Sequence, residues 1–133
     1  MLAKIRRLFR DEGQEEVETS RSEKALFILR IGELEVGSLS LAGGTWEFRY
    51  AAAFTQQAEK LDGVQPLVDF PAVGKLYRSE QLWPFFMARI PSLSQPQVLE
   101  EIQRLGLDQR SAAQLLRAFG EHTIANPFEL QSA

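Results

Sequence analysis

Phosphoryl transfer is the first chemistry to weigh, because Gly32-Glu33-Leu34-Glu35-Val36-Gly37-Ser38 has the glycine spacing of a phosphate-cradling loop. The lysine that must reach the phosphates is missing, and the segment reads as the interior of a hairpin, not a strand-to-helix junction. Asp69-Phe70-Pro71 shares two residues with the Asp-Phe-Gly of protein kinases, but proline stands in place of the glycine and no catalytic-loop sequence accompanies it. It reads instead as an edge segment with Phe70 buried. Acyl transfer needs a nucleophile, a base and an orienting acid. His122, the one histidine, follows a helix end, where an imidazole more often meets free carbonyl groups than acts as a base. No Gly-x-Ser-x-Gly elbow precedes it. One histidine among scattered carboxylates has no metal-ligand spacing, and the absence of cysteine excludes disulfides and thiolate sites. The pairs Glu15-Glu16 and Glu100-Glu101 point apart on either a helix or a strand, so each reads as a solvated face. The expectation is a protein with no catalytic, cofactor-binding or metal-binding residues.

Binding chemistry is better represented. Trp83, Phe85 and Phe86 crowd one short stretch near Tyr77. Neighbours two apart on a helix cannot all face one side, which leaves two readings: all of these rings fill the core with Trp46 and Phe48, or Trp83 or a neighbour anchors an interface, where Trp and Tyr concentrate binding energy. Pro84 and Pro91 stiffen the stretch, which lowers the ordering cost of binding. Trp83, Phe85, Phe86, Arg89, Ile90 and Pro91 are therefore the candidate partner-binding residues. A second candidate is a helix-turn-helix formed by residues 96–105 and 111–119, offering Gln109, Arg110, Gln114 and Arg117 to DNA. Two short helices joined at a glycine are common in small domains, however. A net charge of −3 and a pI near 5.2 also argue against a dedicated nucleic-acid binder, so no direct nucleic-acid binding is expected.

The elements that position these residues follow from periodicity. At 133 residues and 44% apolar content the chain suits one domain with one core. No apolar run reaches the length of a membrane span, and Met1 to Arg7 is not followed by the apolar stretch of a signal peptide. A cytoplasmic protein is the expectation. Leu2, Ile5, Leu8 and Phe9 share one helical face opposite Lys4, Arg6, Arg7 and Arg10. This helix docks on the core, in a partner's groove or on an anionic membrane; the polar stretch 11–22 reads as its linker and sets residues 1–22 apart from a domain over 23–133. Lys24 to Ile31 is apolar at both parities, the mark of a strand covered on both faces. Gly32-Glu33 turns it into a second strand, Leu34 to Leu41, where Gly37 marks a bulge or a close backbone approach. After Ala42-Gly43-Gly44, a third strand alternates Trp46, Phe48 and Tyr50 with Thr45, Glu47 and Arg49.

A helix is expected over 51–60, stopped by Asp62-Gly63, and then a short edge segment, Leu67 to Phe70, between Pro66 and Pro71. A short strand follows near 74–77, and then a helix capped by Ser79 that runs to about Arg89 with a distortion at Pro84. Ser94 caps the next helix, whose apolar face is Val98, Leu99, Ile102 and Leu105, ending at Gly106. The last helix starts at Asp108 or Ser111, carries Ala112, Leu115, Leu116 and Phe119, and ends at Gly120. Residues 124–130 read as an irregular tail. The fold class is α+β: a small, mainly antiparallel sheet of three to five strands followed by three to four packed helices.

Over roughly residues 25–120 the chain resembles the N-terminal domain of HipA-type toxin kinases. The resemblance rests on Val36-Gly37-x-Leu39, Gly43-Gly44, Phe48-x-Tyr50, Leu67 to Pro71, Phe85-Phe86 followed by Ile90-Pro91, and Leu115-Leu116 to Gly120. The family's Asn-Leu-Leu-Pro-Glu-Gly is here Ala88-Arg89-Ile90-Pro91-Ser92-Leu93, so its acidic-glycine end is missing. Glu121 to Phe128 departs from the family's run into the kinase, and the expectation is a finished protein. In the family this domain carries no catalytic residue. It packs on the kinase body near the antitoxin contact, and some toxin–antitoxin systems encode it separately, where it binds and restrains the kinase. The resemblance implies such a subunit, with a HipA-like kinase and a helix-turn-helix antitoxin as partners. The alternative is a stand-alone adaptor or operon-regulatory module with a non-kinase partner or a weak DNA contact.

Overall fold

Three consecutive strands with small turns between them must pair as antiparallel neighbours, and they do. A computed structural model describes residues 23–60 and 66–133. In it β1 (Ala25–Ile31), β2 (Leu34–Ala42) and β3 (Thr45–Tyr50) form a meander. Its turns place Gly32, Gly43 and Gly44 at positive φ. Two short strands complete the sheet: β4 (Tyr77–Ser79) beside β3, and β5 (Glu129–Ser132) beside β1, giving the order β4-β3-β2-β1-β5, antiparallel throughout. Among the described residues four helices accompany it: α1 (Ala52–Lys60), α2 (Pro84–Met87), α3 (Pro96–Leu105) and α4 (Ala112–Phe119). The fold is α+β, as expected.

Gly37 is both a bulge and a close approach. Leu29 pairs with Gly37 and Arg30 with Glu35, leaving Val36 as the extra residue. A Cβ on Gly37 would lie 2.6 Å from the Arg49 carbonyl oxygen and 2.7 Å from Phe48 Cζ, inside van der Waals contact. The bulge turns Val36 inward, where it is fully buried.

The inward face of the sheet carries Phe27, Leu29, Leu39, Leu41, Trp46, Phe48, Tyr50 and Leu130. One cluster joins them to Phe54 of α1, Phe70, Phe86 of α2, and Ala112, Ala113 and Leu116 of α4. A second, smaller cluster forms where Val98 and Ile102 of α3 meet Leu115 of α4. Leu99 and Leu105, expected on the buried stripe of α3, are 41% and 44% exposed. The stripe is narrower than the sequence suggests because α3 buries itself against α4 and adjoining loop residues, not the sheet. Gly106 ends α3 in the left-handed conformation, φ 68°, its N–H returned to Gln103.

Four expectations are corrected. The helix expected from Ser79 to Arg89 is only Pro84–Met87: Pro84 is its first residue, where the missing N–H costs nothing, and Ser79 Oγ instead accepts from the Gln81 N–H. Residues 67–70 form a turn, not an edge strand. The cap of α3 is the backbone of Gln95, without a side-chain bond, and Ser94 pairs with Ser92. The tail contains β5, which pairs with β1; the four residues Glu129–Ser132 carry too little apolar alternation to read as a strand. The strand expected at 74–77 forms at Tyr77–Ser79. The helix expected at 2–10, the linker 11–22 and the Asp62-Gly63 stop lie outside the described residues.

Candidate protein-binding surface

The loop over residues 66–76, which leads into β4, is pinned from both sides of its turn. Tyr50, buried on β3, donates its hydroxyl to the Phe70 carbonyl at 2.6 Å and accepts from the Leu67 N–H at 2.8 Å. Burial pushes the Tyr50 phenol up to about 12, the Leu67 N–H opposing that shift and Tyr77 adding to it, so the hydroxyl stays a donor. Leu67 and Phe70 are thereby held inward, and Phe70 becomes the hub of the aromatic core. Its ring stacks on Phe48 at 4.3 Å and meets Tyr77 and Trp83 edge-on at 5.1 and 5.0 Å. With both neighbours of the turn anchored, Val68 at its tip is held out in solvent, 94% exposed.

Asp69, the other residue of the tip, caps α2. Its Oδ2 accepts from the Phe85 N–H at 2.9 Å, satisfying a donor at a helix start where Trp83 supplies no side-chain bond. The loop therefore fixes where Phe85 stands. The other anchor of α2 is Arg89, buried just beyond its end. Arg89 Nη1 donates to the carbonyls of Gly120 and Glu121 at 2.8 and 3.2 Å, and Nη2 to Asn126 Oδ1 and the Phe128 carbonyl at 3.1 and 2.8 Å. The four acceptors are neutral, and burial lowers the guanidinium pKa from its ordinary value. The charge is solvated by oriented dipoles, and the C-terminal segment is tied to α2 by them.

Between the loop, α2 and that segment lies an open groove of about 510 Å³. Pro66, Leu67, Val68 and Asp69 form one side, Pro84 and Phe85 the second, and Phe128 the third. Its lining side chains are apolar apart from Asp69. A concave apolar surface beside a rigidly displayed apolar side chain can seat a partner's side chain and offer one in return.

The six sequence candidates separate here. Phe86 is fully buried, and Arg89 is 4% exposed. Trp83, Ile90 and Pro91 are half-buried, Trp83 against Phe70 and Ile90 against both clusters. Of the six, Phe85 is the one that lines the groove. A partner meeting this face touches neither the Phe86 ring nor the Arg89 guanidinium. Val68 and Phe128 were missed. The signal for Val68 was the inward pair Leu67 and Phe70 between two prolines, which leaves the residues between them outside. Phe128 carried none, because its place depends on Arg89 across 39 positions of chain.

Two of the four proposed DNA-reading positions are engaged within the fold, while Gln109 and Arg110 are exposed. Gln114 Oε1 accepts from the Asp108 N–H, and Arg117 donates to Ser132 Oγ and lies over the Phe27 ring. His122 is exposed between the carboxylates of Glu121 and Glu129. Glu101 pairs with Arg104 on the solvent side of α3. No protein-family model matches the chain, and no curated protein is significantly similar to it.

Proposed function

We propose that this protein is a non-catalytic binding subunit of a toxin–antitoxin system, which binds and restrains a HipA-like serine/threonine kinase in the cytoplasm. The observation that carries the reading is the groove at Val68, Phe85 and Phe128. One of its walls is Phe85, the first residue of the Phe-Phe pair that resembles the kinase-linked domain, and the turn beside it is ordered by the Tyr50 hydroxyl. Pre-ordering matters because it removes the cost of fixing loops on association. No cysteine, and no described helix long and apolar enough to cross a membrane, fit a cytoplasmic subunit.

The test is a calorimetric titration of the purified protein with a HipA-like kinase lacking its own domain of this kind, followed by phosphorylation assays with and without the protein. Saturable binding and a fall in phosphorylation are expected. A folded protein that does not bind such a kinase overturns the reading and leaves the non-kinase adaptor.

A further inference from the structure

Among the described residues one large apolar side chain stands further out than Val68: Ile124, 107% exposed on the loop from Gly120 to Leu130. Apolar side chains scattered singly over a surface are ordinary. What sets Ile124 apart is how firmly its loop is held. The Leu130 N–H donates to the Glu121 carbonyl at 3.0 Å and closes the loop at its base. Arg89, itself buried, donates to Gly120 and Glu121 before Ile124 and to Asn126 and Phe128 after it. Thr123 Oγ1 accepts from the Ala125 N–H at 3.2 Å, so the turn at Ile124 is fixed as well. A buried cation served by neutral acceptors is a costly support. Of the large apolar side chains it holds in this loop, Phe128 packs against the core and Ile124 does not.

We infer that Ile124 is a second anchor for the partner that meets the groove, and that it enters an apolar socket whose rim carries lysine or arginine. The inference rests on the subunit reading above, whose partner it describes. Phe128, a wall of the groove, follows Ile124 by four residues, so the two backbones are at most about 14 Å apart. A partner of ordinary size covers about 800 Å² on each side and so spans both. A loop already ordered presents its side chain without the cost of fixing it on association. Charge names the chemistry of the rim. The groove lining and residues 121–129 hold three carboxylates, Asp69, Glu121 and Glu129, and no lysine or arginine. Glu121 and Glu129 flank His122 at 3.7 and 3.9 Å, near the foot of the loop. A second copy of this chain would bring the same carboxylates against one another, and an anionic membrane would repel them. A basic rim is attracted instead, which speeds encounter, while the buried aliphatic side chain slows dissociation.

The test measures association and dissociation of the full-length protein with the HipA-like kinase. Ile124→Ser should keep its thermal midpoint within about 2 °C and lose about 30-fold or more in affinity, chiefly through faster dissociation. Ile124→Val, one methylene shorter, should stay within about fourfold of the wild type. Glu121→Lys with Glu129→Lys should slow association by about tenfold at low salt and flatten its salt dependence. Unchanged affinity of Ile124→Ser for a kinase that the wild type binds overturns this anchor alone and leaves the subunit reading standing. Failure of the wild type to bind overturns both. Faster association of the double lysine variant overturns the basic rim. A wild-type dimer in sedimentation that Ile124→Ser dissociates assigns the side chain to a second copy. Binding to anionic vesicles that Ile124→Ser abolishes assigns it to a membrane. Either result overturns the inference.

Discussion

Arg89 joins the two aromatic walls of the groove. Its guanidinium lies 5.7 Å from the Phe85 ring centroid and donates to the Phe128 carbonyl at 2.8 Å, while the two rings meet edge to face at 5.9 Å. A residue that reads from sequence as a surface contact is therefore the support behind that surface. Its position is fixed by acceptors at Gly120, Glu121, Asn126 and Phe128, all beyond the last helix.

Arg89→Ala should destabilise the domain by about 3 kcal/mol, since it strands one buried and three part-buried acceptors at once. Urea unfolding measures this. Arg89→Lys should recover little, because an ammonium cannot reproduce the fork that serves acceptors on both sides. An unchanged denaturation midpoint for Arg89→Ala would show that the clamp contributes nothing to the fold.

Tyr50→Phe should cost about 2–3 kcal/mol, because the Phe70 carbonyl and the Leu67 N–H both lose their partner in the interior. It should also change the alkaline limb of stability. A free tyrosine titrates near about 10, and folding raises Tyr50 to about 12. Below pH ~10 both states hold the proton and the contribution is complete; between ~10 and ~12 the unfolded chain ionises first and stability falls. The wild-type protein should therefore lose more stability than Tyr50→Phe across that window. Parallel wild-type and mutant curves would remove the phenol from the account.

Local pattern made the meander legible. Trp46, Phe48 and Tyr50 alternate cleanly, the turns Gly32 and Gly43-Gly44 sit at positive φ, and Ser111 caps the start of α4 with its side chain. What depended on distant partners was not legible. α2 is capped by Asp69 from 16 positions away, so no capping residue stands before it in the chain. β5 exists because β1 has a free edge and Arg89 holds the preceding segment. The candidate surface divided likewise: the aromatic stretch was visible, but which ring faces outward depends on Phe70, whose central position follows from the Tyr50 tether.

Gly37→Ala should destabilise by about 2–4 kcal/mol. The added methyl would meet the Arg49 carbonyl oxygen at 2.6 Å, and a backbone atom inside a paired strand cannot move aside as a side chain can. Thermal unfolding would register this as a fall of more than about 8 °C for a domain of this size. A near-native midpoint would mean that the bulge relaxes to admit a side chain.

Trp83→Ala separates core from interface. The ring is half-buried and edge-on to Phe70 at 5.0 Å, so its loss should cost about 2–3 kcal/mol of stability, less than the ~3–5 of a fully buried aromatic. Kinase binding by the folded fraction should change little. A stable variant that binds poorly would return Trp83 to the role of exposed anchor.

Val68→Asp tests the surface without touching the core. Val68 is 94% exposed, and Leu67 and Phe70 are anchored by Tyr50 whatever stands between them. The thermal midpoint should stay within about 2 °C, the scale of an exposed substitution. The new carboxylate stands beside Asp69 at the mouth of an apolar groove, where an apolar partner side chain would have to desolvate it. Kinase binding should weaken by about 2 kcal/mol or more. Phe85→Ala should weaken binding similarly, but with a stability cost, since that ring also packs on Phe86 and Phe128. Calorimetric titration of both variants decides the matter. Wild-type affinity in a folded Val68→Asp protein would remove this groove from the interface, because that side chain lines it and stands almost wholly in solvent.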